Sequence, residues 1–180
     1  MRARCVLVMG LGLAGCSSLA TVEGGYHEPF EAELAPGHRG VAVDVHFGLG
    51  PTDAPVGGEA SLRTKHGSHQ GQWALGFGGF AFTPPEIVGA FGRVGLNLVQ
   101  VEAWSGELAF GMGSPWAQGG VYFLPEAIGG DGPIGRYRAG GFIITLSAST
   151  GYDLRFGDAV PNNGWWSVTA GVGFMSYWNL

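Results

Sequence analysis

The chain has 180 residues, 35 of them glycine, with 46 % hydrophobic and 13 % charged residues and a formal charge of −5. Abundant glycine without a Gly-X-Y period excludes collagen, and the hydrophobic share argues against plain disorder. A single lysine, Lys65, and no basic stripe give no reason to expect a nucleic-acid partner.

"MRAR" (1–4) is a cationic start, followed by the apolar run "CVLVMGLGLA" (5–14). The run is too short for a transmembrane helix and long enough for the core of a signal peptide. Leu13-Ala14-Gly15-Cys16 follows. Together these residues resemble the N-terminus of bacterial lipoproteins, in which cleavage precedes the cysteine and its thiol carries a diacylglycerol. The resemblance implies a signal peptide over 1–15 and acyl chains such as palmitate on Cys16. It leaves no thiol for a disulfide, metal or nucleophile. Ser17 implies export to an outer membrane in the enterobacterial pattern that the motif resembles.

The polar, glycine-punctuated stretch 16–39, lipidated at its first residue in this reading, is expected to be a tether, and 40–180 a single all-β domain. "GVAVDVHFGLG" (40–50) alternates strictly, placing Val41, Val43, Val45, Phe47 and Leu49 on one face and Ala42, Asp44 and His46 on the other. Strand patterns recur at 71–82, 90–103, 106–113, 118–124, 136–148, 151–157 and 164–178, with no helical period. In this reading 51–70 and 125–135 are long loops, expected to carry a structural or surface-interaction role with no wide pore, and every connection after an even-numbered strand is short. That rhythm, with an even strand count, predicts an antiparallel up-and-down barrel of about eight strands that crosses a membrane.

The two faces of these strands differ in kind. One is Val, Leu, Ile and aromatic; the other is mostly Gly, Ala, Ser and Thr. Small residues suit a confined space, and an eight-stranded barrel has an interior only wide enough for side chains. The aliphatic face is therefore expected to point outward into lipid. The ionic and polar residues Asp44, His46, Arg93, Asn97, Glu107, Asp153 and Arg155 are expected inside as a paired network, because an unpaired buried charge is costly. Gly78-Gly79 is expected to be a bulge that turns Phe80 and Phe82 to the face of Phe77.

"WWSVTAGVGFMSYWNL" (165–180) resembles the C-terminal strand that marks outer-membrane barrels for insertion, although Leu180 rather than an aromatic residue is last. Six tryptophans (73, 104, 116, 165, 166 and 178) suit aromatic girdles or, alternatively, an ordinary core. The whole reads like the small eight-stranded outer-membrane barrels with an added acyl anchor, in the outer membrane of a Gram-negative bacterium. Outer-membrane lipid is its expected partner. The competing arrangement is a soluble lipocalin-like cup tethered by Cys16, with the same aliphatic residues inside and a small apolar ligand among them.

Little points to chemistry. "KHGSH" (65–69) holds a His66-x-Ser68 pair resembling that of lipid A deacylases, without a nearby carboxylate to orient the histidine. His66 and His69 are too few for a metal site. "GLGLAG" (10–15) lies in the signal, and "GFGGF" (76–80) opens no helix, so neither cradles a phosphate. No catalytic residue, metal or cofactor is expected.

Overall fold

The computed structural model describes residues 17–31, 39–51, 54–68, 70–83, 87–104, 106–125, 128–131, 137–156 and 161–179. They form β1 (Ser17–Pro29), β2 (Gly40–Gly50), β3 (Val56–Gly67), β4 (Gln70–Phe82), β5 (Val88–Trp104), β6 (Glu107–Gly111), β7 (Ser114–Phe123), β8 (Ile128–Asp131), β9 (Tyr137–Asp153), β10 (Arg155–Phe156) and β11 (Asn163–Asn179). No helix occurs among the described residues.

All pairings are antiparallel. Hairpins link β1 to β2, β2 to β3, β3 to β4 and β4 to β5. One half of β5 carries β7 and the other carries β6. Strand β7 pairs with β9, β10 pairs with β6, and β9 pairs with β11. Finally β11 returns to β1 over twelve residue pairs. Because β6 and β7 share one path, and β10 continues β9, these segments make eight walls of a closed cylinder. Strand β8 extends the hairpin at the start of β9. Both ends of the described chain lie at one end of the barrel, here called the terminal end; the other is the far mouth.

The expected number of walls and the observed number agree, but the segments differ. Residues 17–29, expected as tether, are β1. Its alternation of inward Thr21, Glu23 and His27 with outward Val22 and Tyr26 is interrupted by Gly24-Gly25, which removes side chains from the pattern. Residues 56–67, expected as part of a loop, are β3, where Glu59, Ser61, Arg63 and Lys65 face inward and only Val56 and Leu62 are bulky aliphatic residues opposite. Conversely, 106–113 and 118–124 belong to one wall, as do 136–148 and 151–157. The predicted loop rhythm fails with them: β2 ends at Gly50 and β3 begins at Val56, at the terminal end, and β8 pairs with β9 there.

The bulge also sits elsewhere. Leu75 pairs with Val99 and Gly76 with Asn97, so Leu98 of β5 is the additional residue. Leu98 and Val99 both point outward, and the inward phase resumes at Gln100 and Glu102. Through Gly78-Gly79 the alternation of β4 is unbroken, which puts Phe80 and Phe82 inside, away from exposed Phe77.

The orientation of the faces is unambiguous. Val43, Leu96 and Val172 are 37 %, 47 % and 63 % exposed, whereas Asp44, His46 and Arg93 are at most 2 % exposed. The barrel is apolar outside and polar within. Its interior has two zones. At the terminal end Leu19, Phe80, Phe82, Tyr122, Ile143 and Met175 belong to one apolar cluster that fills the bore. From there to the far mouth the filling is ionic and polar.

Candidate functional site

The interior network rises along β3, whose inward positions Glu59, Ser61, Arg63 and Lys65 follow one another from the apolar plug to the far mouth. Three ionic clusters are built on this wall and those it faces.

Nearest the plug, Arg93 bridges two carboxylates. Its Nη1 donates to Glu23 Oε1 at 3.0 Å and to Gln118 Oε1 at 2.9 Å, and its Nη2 donates to Thr21 Oγ1 at 2.9 Å. Its Nε lies 3.1 Å from Glu59 Oε2. The second oxygen of Glu23 accepts from Gln118 Nε2, Ser147 Oγ and Thr169 Oγ1 at 2.7, 2.6 and 3.0 Å. Glu59 also faces His46, with Nδ1 3.5 Å from Oε1. The Arg93 guanidinium lies 4.8 Å from the Phe91 ring centre, where the ionic zone meets the apolar one. Such charge-assisted bonds are stronger than neutral ones and compensate part of the cost of burying each ion.

Above it, Arg63 grips Asp44 with two prongs, Nε to Oδ1 at 3.2 Å and Nη2 to Oδ2 at 2.9 Å. Nη2 also reaches Ser149 Oγ. The same guanidinium lies 4.8 Å from the Trp116 ring and 4.6 Å from that of Trp165, an arrangement suited to cation–π attraction.

At the far mouth, Asp153 is shared. Lys65 Nζ donates to its Oδ2 at 3.0 Å, Arg155 Nη2 to the same oxygen at 3.2 Å, and Trp165 Nε1 to Oδ1 at 3.0 Å. The Lys65 ammonium also sits 3.8 Å above the Trp165 ring. Arg155 Nε binds Glu102, whose other oxygen accepts from Gln70 at 2.7 Å. Arg155 Nη1 also donates to the Pro161 carbonyl, which ties the last connection to the wall.

Of the residues singled out in the sequence, Asp44, His46, Arg93, Asp153 and Arg155 thus stand in these clusters. Asn97 is buried beside the β5 bulge, where its backbone carbonyl accepts from Gly113 N. Glu107 is a correction: it shares the inward phase of Ala109 and Gly111 but lies at the end of β6, exposed at the far mouth. Five partners were missed. Glu23 lay in the supposed tether, and Glu59, Arg63 and Lys65 lay in the supposed loop. Glu102 was hidden by the phase change at Leu98. The alternation in "EASLRTK" (59–65) was the signal that identifies three of them.

Trp116 and Trp165 are interior residues, whereas Trp73 is on the outer wall. Near the far mouth the outer wall carries Tyr26 against Trp166, ring centres 5.6 Å apart, and His66 edge-on to Trp73 at 5.8 Å. His66 therefore faces outward, Ser68 lies in the turn after it, and His69 is outside the described residues, as is Cys16. Among the described residues no three His, Cys, Asp or Glu side chains converge as metal ligands.

These features define a class: a small closed antiparallel barrel, hydrocarbon-coated and filled by an ion-pair network above an apolar plug. No family model and no curated protein matches the chain. Among solved structures, the crystal structure of Neisserial surface protein A (NspA) is similar, with a TM-score of 0.57 and 13 % identity over 89 % of this chain and 96 % of that one. At this identity the likeness is one of fold.

Proposed function

We propose that this protein is a lipid-anchored outer-membrane barrel with a structural or surface-interaction role and no wide pore. One observation carries the membrane reading: above the apolar plug the walls turn Val, Leu and Phe outward, while Glu23, Asp44, Glu59, Arg63, Lys65, Arg93, Glu102 and Asp153 are buried inside. Val41 to Leu49 on β2 spans eight residue steps. At about 3.4 Å per residue and a tilt near ~40° that is a band of about 21 Å, close to the ~25 Å apolar belt of outer-membrane barrels. In water such a coat would associate; in lipid it is the stable arrangement.

The role follows from the filling. The plug around Phe80, Phe82 and Tyr122 blocks the bore, and the bridged charges above it are matched to one another rather than to a passing ion. With an acyl anchor at Cys16, adjacent to Ser17, the terminal end faces the periplasm. Surface contacts then fall to the far mouth, at the connections 30–39 and 157–162, rather than to 51–70 and 125–135.

Membrane fractionation tests this reading. The Cys16→Ala chain, exported with a cleavable signal, is expected to remain in outer membranes after alkaline washing and to show the heat-dependent gel mobility of a folded barrel. A soluble periplasmic monomer would refute it. Intact mass of the wild-type N-terminus checks the anchor separately.

A further inference from the structure

A groove of about 780 Å³ runs across the outer wall. Its floor is Ala148, Gly119, Gly92 and Ala81, successive register partners on β9, β7, β5 and β4. Phe30 and Trp166 frame it towards the far mouth, and Val94 lines its edge. The floor leads to Ala81, next to last in β4, at the terminal end.

Barrel packing does not explain why this strip is bare. A Cβ on Gly119 would meet nothing within 4 Å, and one on Gly92 only the Gln118 carbonyl at 3.8 Å. Neither glycine has a positive φ. Gly151, which is required by the interior, is different: its Cβ would come 2.5 Å from the Trp165 ring. The walls around the strip are coated with Val, Leu and Phe.

The foot of the groove lies beside the start of the described chain. Ser17 Oγ donates to the Ala54 carbonyl at 2.7 Å, and Phe82 N donates to the next carbonyl, that of Pro55, at 2.9 Å. Two hydrogen bonds to consecutive residues, whose Cα atoms are ~3.8 Å apart, put Ser17 within about 10 Å of the foot. An acyl chain spanning one leaflet reaches about 15 Å, half of the ~30 Å hydrocarbon core.

We propose that one acyl chain of the lipid on Cys16 lies in this groove, so that the anchor is packed against its own barrel rather than dispersed in the bilayer. The inference rests on the acylation of Cys16 proposed above. Attachment through Cys16 gives this chain a high effective concentration at the groove compared with free lipid. Close packing against a smooth floor supplies the contact that hydrophobicity cannot supply within a membrane.

The test uses the full chain in a Gram-negative host fed a fatty acid with a diazirine near its methyl end. After irradiation, cross-links from the Cys16 peptide are expected on peptides containing Gly92 and Gly119. They should fall at least fivefold in Gly92→Leu/Gly119→Leu, a variant that fills the groove while retaining folded gel mobility. Even labelling of the walls carrying Val43 and Val172, or groove labelling by free phospholipid alone, would overturn the proposal, as would no change in the variant. Intact mass separates the two failures: an unmodified Cys16 removes the anchor and this inference together, whereas an acylated Cys16 with even labelling removes only this inference.

Discussion

Asp44 and Arg63 are direct register partners on β2 and β3, and their side chains meet inside the barrel through two hydrogen bonds between two tryptophan rings. The pairing is local in the sheet, yet it ties those walls to Ser149 on β9 across the bore. Removing one partner leaves the other charge buried. Arg63→Ala or Asp44→Ala is expected to lower the unfolding free energy of the bilayer-embedded barrel by about 3–5 kcal/mol. The double replacement Asp44→Leu/Arg63→Met should lose far less than the sum. Urea titration of all four proteins in one lipid would measure this, and additive losses would contradict the pairing argument.

The lipid-facing assignment has its own test. Val172→Arg, near the middle of the outward stripe of β11, is expected to cost about 2–4 kcal/mol in a bilayer, whereas Val41→Arg, near the far mouth, should cost about 0–1 kcal/mol. Equal, near-zero costs at both positions would mean that this face meets water.

Glycines inside and outside the wall should respond differently. A Cβ on Gly48 would lie 2.5 Å from ring carbons of Phe80, while one on Gly24 would find nothing nearer than the Ala42 carbonyl at 3.9 Å. Gly48→Ala is expected to destabilise by about 1–3 kcal/mol through overpacking of the plug. Gly24→Ala should be neutral or slightly stabilising, since a strand glycine costs roughly 0.5–1 kcal/mol relative to alanine. Thermal unfolding followed by gel mobility would distinguish them; equal shifts would count against the packing described for Phe80.

The plug can be opened on purpose. Phe82 and Tyr177 meet edge to face, ring centres 6.3 Å apart, within the apolar cluster. In planar bilayers the wild-type barrel should show no discrete currents, and Phe82→Ala/Tyr177→Ala should admit small ions at some cost in stability. A wild type that conducts as well as the variant would remove the plug from the account.

How far the sequence revealed this structure depended on where side chains carry the pattern. In β2, and over 166–174 of β11, each outward position is Val, Leu, Phe, Trp or Ala, so both walls were legible at once. Strand β1 escaped because Gly24-Gly25 interrupts its stripe, and β3 because its outward residues include Thr64, Ala60 and Gly58. The interior network was half visible for the same reason. Arg93 and Asp44 lay on recognised walls, whereas their partners Glu23, Glu59 and Arg63 lay on the two unrecognised ones. Glu102 was lost to a single inserted residue, since one added position reverses the facing of all that follow. Glu107 had the correct parity but the wrong height, and parity alone contains no height.

The seam between β1 and β11 has a further consequence. The two walls that seal the cylinder are the first and the last to be synthesised, so a nascent polypeptide released early exposes two bare strand edges that no other part of it can cover. Closure of the cylinder must therefore wait until β11 has been made and can reach β1.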